Sequence, residues 1–427
     1  MADRIHVWAW LAGALDPVPV GRLDETGGET SFAYDASYLD RVDAIPLYAP
    51  ELPLRRGRQR PSVGLSVPGC IADAWPDGWS RVVIERRLRD RDVDVSNLHA
   101  FEYLRASGSD RFGALDFIDD DTSWKPRGGR SATLDDLQHV SGLIEAGESI
   151  DPSLGAAMDQ ATASGGMRPK ATIKVRGISC IAKLSSRSDT RPVTNIEAFA
   201  MDLATHAGLH VAPTRLVRAA GRDVLLVERF DRDSSGRVMV VSAATMLGID
   251  PFLGARYATY HELADQLRAL SRVAGDAREL FARIVFNILV GNTDDHARNH
   301  AALWDGKHLQ LSPAFDICPQ QRTGGETGQA MEIGRDGFRA ANLAGCVDHS
   351  GEYALDRNEA VDIVNRQVEA IHAEWDEAAD RARLTSADRR TLKGGSLLNE
   401  SVFYGWERIA PGIARSPQRQ EHKARPN

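Results

Sequence analysis

The most informative part of the sequence is Phe286-Asn-Ile-Leu-Val-Gly-Asn-Thr-Asp-Asp-His-Ala-Arg-Asn-His300, followed by Leu311-Ser-Pro-Ala-Phe-Asp-Ile317. Asp294 stands five residues before Asn299, and Asp316 stands seventeen residues after Asn299. A carboxylate can accept the proton of a hydroxyl group, and amide and carboxylate oxygens are ligands that suit Mg²⁺. The pattern therefore predicts one base and two metal ligands. The alternative is a polar surface loop whose acidic side chains are solvated.

Apolar residues before this loop recur at helical spacing. They predict one buried helical face, formed by Leu280, Phe281, Ile284, Val285, Ile288 and Leu289. Gly291 stands where a helix needs a left-handed C-terminal residue, so we expect the chain to turn there into the polar loop. A strand-like run from Lys307 to Leu311 is expected to hold Asp316 opposite the loop. Protein kinases use an Asp-x-x-x-x-Asn loop and a later Asp in this order.

Composition places the chain among ordinary globular proteins. It has 427 residues, of which 42% are hydrophobic and 26% are charged, enough for two or three domains. No apolar run approaches the roughly 20 residues of a membrane span, so no membrane partner is expected. The N-terminus lacks a secretory core, which favours a cytoplasmic location. A net charge of −8 argues against a nucleic-acid coat protein but leaves room for a local basic patch.

Cysteines and histidines show no metal-binding pattern. The four cysteines are far apart and predict reduced, mostly buried thiols at Cys70, Cys180, Cys318 and Cys346. His296 and His300 are four residues apart, but they lie in a predicted loop rather than on a helix, so we do not expect a zinc pair.

The predicted secondary structure and the composition change along the chain. Residues 1–122 predict a β-rich N-terminal subdomain, in which Ser31-Phe-Ala-Tyr34 is a short strand and Ser80 to Arg89 is an amphipathic helix. A polar, glycine-rich linker is expected over residues 123–130. Residues 413–427 are predicted to be a disordered basic tail.

A short turn with two glycines, Gly165 and Gly166, precedes a strand-like run from Ala171 to Val175. Paired glycines let backbone N–H groups approach a phosphate closely, and Arg168 or Lys170 can neutralise it. The turn is neither a Walker loop nor a Gly-x-Gly-x-x-Gly sequence, so a plain hairpin turn is an equal alternative.

Lys183 lies within the apolar strand predicted over Ile178 to Leu184. A lysine in such a strand costs free energy unless it meets an anion, either an ATP phosphate or a structural carboxylate. The phosphate is favoured, because the acidic loop lies downstream in the order that kinases use. Glu197 is predicted in the first turn of a helix from Asn195 to Ala207, where it either pairs with Lys183 or complements the helix dipole.

An apolar strand beginning at Val224 runs into the polar connector Glu228-Arg-Phe-Asp231. In a two-lobed kinase such a connector carries the backbone groups that bind adenine, which here fall at Glu228 to Phe230. The alternative is that Arg229 and Asp231 close the end of the strand with a salt bridge.

Together these motifs resemble the HipA family of serine/threonine kinases, the toxin halves of HipA–HipB toxin–antitoxin pairs. The similarity to the kinase core is carried by Gly165-Gly-Met-Arg-Pro-Lys170, Glu228-Arg-Phe-Asp231, Gly291-Asn-Thr-Asp-Asp-His-Ala-Arg-Asn299 and Ser312-Pro-Ala-Phe-Asp316. Supporting similarity to the family's N-terminal subdomain is found in Ser31-Phe-Ala-Tyr34, Trp75-Pro-Asp-Gly78 and Gly113-Ala-Leu115.

The resemblance implies an α+β, protein-kinase-like fold with two lobes after the N-terminal subdomain. It implies a kinase N-lobe over residues 131–232, with the phosphate loop, the lysine strand and the hinge. It further implies a mainly helical C-lobe over residues 233–412, with the catalytic loop and the metal-binding Asp.

The resemblance also assigns roles to individual residues, with ATP and Mg²⁺ as the cofactors. The catalytic base is expected at Asp294. The two Mg²⁺ ligands are expected at Asn299 and Asp316, and the contact to the ATP phosphates is expected at Lys183. Asp295 and His296 are expected to shape the loop or hold Asp294, without taking part in the transfer.

Members of the family phosphorylate aminoacyl-tRNA synthetases, notably the glutamyl enzyme, which starves translation and drives growth arrest and drug tolerance. Many also phosphorylate a serine of their own near the phosphate loop. Ser164 is the nearest match and Thr162 the second, and a phosphate there would repel ATP. The implied partner is a HipB-like helix-turn-helix antitoxin, through which alone DNA is contacted.

The sequence departs from ordinary protein kinases at Asp316-Ile-Cys, where those kinases have Asp-Phe-Gly. We therefore do not apply the activation-loop regulation of those kinases to this chain. Two other functions stay open: a kinase-like binding module without chemistry, and a metal-dependent phosphohydrolase. The lysine-bearing strand ahead of the acidic loop favours the kinase.

Overall fold

A computed structural model describes residues 3–27, 29–119, 122–128, 132–162, 165–234, 236–251, 254, 257–322 and 325–410. The chain forms two compact units. Unit 1 comprises residues 1–190, 215–253 and 301–309, and unit 2 comprises residues 191–214, 254–300 and those from 310 onward. The α+β fold class is confirmed, since the chain combines separate sheets with a mainly helical part. The predicted boundaries at residues 122, 130, 232 and 412 stay predictions, and the predicted tail lies outside the described residues.

Unit 1 begins with a four-stranded antiparallel sheet in the order β3-β2-β1-β4. Its strands are β1 Asp3–Ala9, β2 Val18–Thr26, β3 Glu29–Tyr34 and β4 Leu115–Ile118. Its helices are α1 Ala36–Leu39, α2 Gly69–Ala72, α3 Gly78–Arg89 and α4 Ala100–Ala106. The predicted strand at Ser31 and the predicted helix at Ser80 are confirmed as parts of β3 and α3.

Helix α3 also packs on a second sheet, which has the order β5-β6-β8-β7. Its strands are β5 Lys170–Val175, β6 Ile178–Leu184, β7 Thr214–Ala219 and β8 Arg222–Glu228. The helices α5 Leu134–Ala146 and α6 Gly155–Gln160 precede this sheet. One hydrophobic core contains Trp79 and Val83 of α3 together with Leu184 and Leu226 of the sheet. The N-terminal subdomain and the lysine-bearing strands therefore share a core.

Among the later strands of unit 1, β9 pairs with its neighbour β10, whereas β11 pairs with a strand far along the sequence. The elements are β9 Arg232–Asp233, β10 Gly236–Arg237, β11 Met239–Ser242, α8 Ala243–Met246 and β12 Ala301–Trp304. Strand β12 follows the polar loop directly and pairs antiparallel with β11. The sequence did not predict β12, because four residues paired with a strand far upstream leave no local periodicity. The next strand, β13 Leu309–Leu311, is shorter than the run expected from Lys307.

Unit 2 is mainly helical. Its helices are α7 Val193–His206, α9 Tyr260–Leu270, α10 Asp276–Val290, α11 Leu343–Asp348, α12 Arg357–Arg381, α13 Ser386–Thr391 and α14 Trp406–Ile409. Helix α7 begins two residues before the predicted start. None of the helices in the described part of the chain combines the length and apolar character of a membrane span.

The predicted helix before the polar loop is confirmed as α10. All six residues of its predicted apolar face are 0% exposed, but so are Phe286 and Val290, so the helix is buried on more than one face. Gly291 ends it in the left-handed conformation, with φ 72°, as the sequence predicts. A Cβ atom at Gly291 would lie 2.7 Å from the Ser396 carbonyl oxygen. Glycine is therefore required there both by conformation and by space.

Gly291→Ala is expected to lower the free energy of unfolding by about 1–3 kcal/mol, because it adds left-handed strain and a backbone collision. Chemical denaturation of the purified chain measures this change. Gly351→Ala is the matched control, since no atom lies within 4 Å of a Cβ built there, and it should alter stability little. Equal effects of the two substitutions would contradict this account of Gly291.

Candidate active site

The polar loop that follows Gly291 is held by its own backbone. The Asn299 N–H donates to the His296 carbonyl oxygen (2.8 Å), and the Asn299 Nδ2 atom donates to the Asp294 carbonyl oxygen (3.3 Å). The side-chain nitrogen of Asn299 is used in this hydrogen bond within the loop. The side-chain oxygen of Asn299 is therefore the atom that can act as a metal ligand. Asp294, the predicted base, and Asn299, a predicted ligand, are thus joined in one short turn.

Asp295 is directed into the core of unit 2. Its Oδ2 atom accepts hydrogen bonds from the Tyr260 hydroxyl (2.6 Å) and from Asn287 Nδ2 (2.7 Å), and it lies 2.9 Å from His300 Nε2. None of these four side chains is more than 5% exposed. Asn292 adds a further link by donating through Nδ2 to Asn287 Oδ1 (3.0 Å). The buried side of the loop is therefore tied to α9 and α10, and the half-buried Asp294 is its neighbour.

The charge of Asp295 is stabilised by this network. Burial by itself raises the pKa of the Asp295 carboxyl, but His300 and the Tyr260 hydroxyl outweigh it and hold this pKa below its ordinary value. Burial, and then the neighbouring Asp295 carboxylate, raise the pKa of Tyr260 well above its ordinary range. The pair consequently consists of an ionised acceptor and a neutral donor.

Sequence reasoning missed Tyr260, Asn287 and His300 as parts of this site. Asn287 carried the only available signal, since it is a polar residue between Phe286 and Ile288 in an apolar helix. Such a residue needs a buried hydrogen-bond partner. Tyr260 lies too far from the loop in sequence to be linked to it by any pattern.

The segment that carries Asp316 is fixed by backbone contacts within unit 2. The Ser312 carbonyl oxygen accepts from the buried Arg283 Nη2 (2.7 Å). The Ala314 N–H donates to the His210 carbonyl oxygen (2.7 Å). Beyond Asp316, the Gln320 N–H donates to the Gly291 carbonyl oxygen (3.0 Å), which connects this segment to the start of the polar loop.

Asp316 itself has φ 60°, in the left-handed region that aspartate tolerates better than most residues. Backbone strain of this kind concentrates at functional sites. By type, the Asp316 carboxylate and the Asn299 amide oxygen are hard oxygen donors, which suit Mg²⁺ together with water and phosphate oxygens. That the two side chains bind one ion stays a prediction. No cluster of three or more His, Cys, Asp or Glu side chains suited to a metal occurs in the described part of the chain.

In unit 1, three of the predicted phosphate contacts lie close together: Gly166, Lys170 and Lys183. Lys170 of β5 stands directly opposite Lys183 of β6. Two lysines in such a pair repel each other, which favours an anion near them. A Cβ atom at Gly166 would collide with Lys170 Nζ, so the glycine turn lies against this ammonium group. Only seven lysines occur in the chain, and three of them fall within residues 170–183.

The second predicted cation of the turn has another partner. Arg168 Nη2 lies 2.7 Å from both carboxylate oxygens of Asp189.

Thr162, the second predicted phosphate acceptor, is buried in the structure. Its side chain is 0% exposed, and its hydroxyl donates to the Asp159 carbonyl oxygen (2.7 Å) and accepts from the Gly108 N–H (3.0 Å). Burial disfavours this candidate, and its phosphorylation stays a prediction. Ser164, the first candidate, lies outside the described residues.

The connector after β8 shows the salt bridge that the sequence left as an alternative. Arg229 Nη2 lies 2.7 Å from Asp231 Oδ2, and both side chains are buried. The Arg229 guanidinium also pairs with Asp110 (3.0 Å). The backbone N–H of Arg229 donates to the Ser179 carbonyl oxygen (2.9 Å). This N–H is engaged in the sheet rather than available to adenine, while Glu228 and Phe230 stay predicted contacts.

The interpretation of Glu197 as a partner of the helix dipole is wrong. Because α7 starts at Val193, Glu197 is its fifth residue and lies beyond the first turn, where the dipole is strongest. Its side chain is 4% exposed, so it is a buried carboxyl. Pairing with Lys183 stays a prediction.

Comparison with known proteins identifies the family. Residues 162–375 match the HipA-like C-terminal domain, and residues 11–118 match the HipA N-terminal domain. The chain belongs to the HipA family. The C-terminal match contains the glycine turn, the lysine-bearing strand, the polar loop and Asp316, so the resemblance carried by these motifs is confirmed.

Two relatives and one solved structure are also similar to this chain. "Putative kinase Y4mE" of Sinorhizobium fredii is 29% identical over 322 residues, covering 68% of this chain and 72% of that protein. "Putative kinase Y4dM" of the same organism is 27% identical over 215 residues, covering 47% and 52%. HipA from Shewanella oneidensis MR-1, solved with HipB and operator DNA, has a TM-score of 0.66 at 19% identity over 91% of this chain and 95% of that one, which shows a shared fold.

Asp295→Asn is expected to destabilise the chain by about 2–4 kcal/mol at pH 7, because it replaces a carboxylate that receives several donors. The pKa of Asp295 is lowered in the folded chain, so the stabilisation is present above the ordinary value of 3.8 and is lost as pH falls through the folded value. Urea unfolding is measured from pH 7 to pH 3. The difference in free energy of unfolding between wild type and Asp295→Asn should become smaller below about pH 4. Asp362→Asn, at an exposed position of α12, is the control and should show no such narrowing. A gap that is constant with pH would contradict the assignment.

Proposed function

We propose that the chain is an ATP-dependent serine/threonine-protein kinase of the HipA toxin type. The observation that carries the proposal is the polar loop, in which Asp294 and Asn299 are joined by a hydrogen bond and Asp295 anchors the loop in the core. Membership of the HipA family supports it, as do the two relatives that are named as kinases. The directly opposed Lys170 and Lys183 add a site suited to phosphate oxygens.

The proposed chemistry divides the work between named side chains. Lys183, Lys170 and the turn at Gly165 and Gly166 hold the phosphates of ATP. Asp294 orients the hydroxyl of a substrate serine or threonine and accepts its proton. The hydroxyl oxygen then forms a bond to the γ-phosphorus, while the bond from this phosphorus to the bridging oxygen breaks and ADP leaves.

Mg²⁺ held by Asn299 and Asp316 would neutralise the charge that develops on the phosphate oxygens. Asn299 and Asp316 would supply an amide oxygen and a carboxylate to this ion, and water and ATP oxygens would supply its other ligands. The anchored backbone on both sides of Asp316 supports this role, since a ligand must keep its place while the nucleotide exchanges.

We propose that the acceptor is a host protein, an aminoacyl-tRNA synthetase such as the glutamyl enzyme, whose phosphorylation arrests growth in the cytoplasm and leads to persistence. Autophosphorylation at Ser164 is the proposed route of self-inactivation. The Shewanella oneidensis HipA was solved with HipB and operator DNA. By analogy, a HipB-like helix-turn-helix antitoxin is the proposed partner of this chain, and DNA is contacted through that partner.

Asp294→Asn is expected to reduce phosphate transfer by roughly 10²–10⁴-fold, since a carboxamide cannot accept the proton. Transfer is measured with γ-labelled ATP and glutamyl-tRNA synthetase, and the modified residue is identified by mass spectrometry. ATP binding should persist in this variant, and Asp362→Asn should transfer normally. Undiminished transfer by Asp294→Asn would remove Asp294 from the mechanism. Free phosphate without labelled protein would favour a phosphohydrolase, and ATP binding without either product would favour a silent binding module.

Lys183→Ala is expected to weaken ATP binding roughly tenfold or more, because it removes a charge-assisted contact to phosphate. Isothermal titration with ATP and Mg²⁺ measures the change. Lys174→Ala is the matched control, because Lys174 is exposed and lies four residues, or about 13 Å, along β5 from Lys170. Similar affinity in wild type and Lys183→Ala would contradict the phosphate assignment.

A further inference from the structure

Both backbone groups of Gly166 are engaged by the turn that begins α3. The Gly166 N–H donates to Asp77 Oδ1 (2.5 Å), and the Trp79 N–H donates to the Gly166 carbonyl oxygen (2.9 Å). Gly166 has φ 101°, a conformation that other residues rarely adopt. Residues 77–79 therefore fix the glycine turn from two sides. Asp77 lies 89 residues before Gly166 in the sequence.

Gly78 permits this close approach. A Cβ atom at Gly78 would lie 2.5 Å from the Gly166 carbonyl oxygen and 2.7 Å from its carbonyl carbon. The Asp77 side chain is only 5% exposed, so its carboxylate is buried at the contact rather than solvated beside it. A buried carboxylate is retained only where donors satisfy it, and Gly166 is one of them.

Building on the proposed kinase function, we infer that Asp77 is a positioning residue for the phosphates of ATP. Its carboxylate occupies the Gly166 N–H and thereby fixes the turn. The remaining amides of the turn and Lys170 Nζ, which lies against Gly166, then form the phosphate contact. Asp77 itself does not touch the nucleotide. The N-terminal subdomain is consequently part of the ATP site, because α3 carries the residue that shapes the phosphate loop.

The experiment compares Asp77→Ala, Asp77→Asn and Gly78→Ala in the full chain. Asp77→Ala should raise KM for ATP roughly tenfold, the value of one hydrogen bond to a charged group, with a smaller change in kcat. Asp77→Asn keeps an acceptor oxygen and should restore most of the affinity. Gly78→Ala displaces the turn while the carboxylate stays, so it should raise KM as well. Hydrogen exchange without nucleotide should show faster exchange over residues 165–170 in Asp77→Ala.

Asp159→Ala is the matched control. Asp159 is also a carboxylate, and it pairs with Arg87 of α3, the helix that begins directly after Asp77. It should leave KM for ATP unchanged. Thermal unfolding verifies that each variant is folded. An unchanged KM in folded Asp77→Ala would overturn the inference, and so would a lowered KM, which would mean that the carboxylate competes with phosphate. Absence of ATP binding by the wild type would refute the proposed function as well, whereas normal binding by all variants would refute the positioning role alone.

Discussion

The carboxylate of Asp295 is the constraint on which the polar loop depends. A buried charge is tolerated only when donors satisfy it, and here Tyr260, Asn287 and His300 all meet the same oxygen atom. These donors come from the start of α9, from the last turns of α10 and from the end of the loop. They can meet one oxygen atom only if the loop takes a single path after Gly291. Asp294 and Asn299 are part of that path, so the course of the backbone at both residues is set by the buried neighbour Asp295.

Unit 1 uses buried charges in a similar way. Asp231 accepts from the Gly113 N–H (2.7 Å) and from Arg229, and Arg232 donates to the Gly113 carbonyl oxygen (2.9 Å). Burial alone raises the pKa of Asp231, but the arginines outweigh it and keep this pKa below its ordinary value. Such pairs add little net stability but favour one arrangement over others. The connector after β8 therefore attaches the N-terminal subdomain to the second sheet.

Local patterns predicted the elements that depend on local forces. The apolar periodicity of α10, its end at Gly291 and the strands β5 and β6 were all readable, because each follows from neighbouring side chains. Pairing of β12 with β11 was not readable, since it depends on a strand more than fifty residues upstream. Burial of Thr162 was equally hidden, because its partners are a helix end and the Gly108 amide.

The order of the predicted site residues was readable from the sequence: a lysine in an apolar strand, an acidic loop after a capped helix, and a later aspartate. Which polar residues contact one another was set by the packing of distant elements. Asp77 and Gly166 are 89 residues apart, and Tyr260 and Asp295 are 35 residues apart. A hydrogen bond over such a distance has no period and no local composition, since it depends on how separately formed elements pack. That packing assigns Asp295 to the core and leaves Asp294 half-buried.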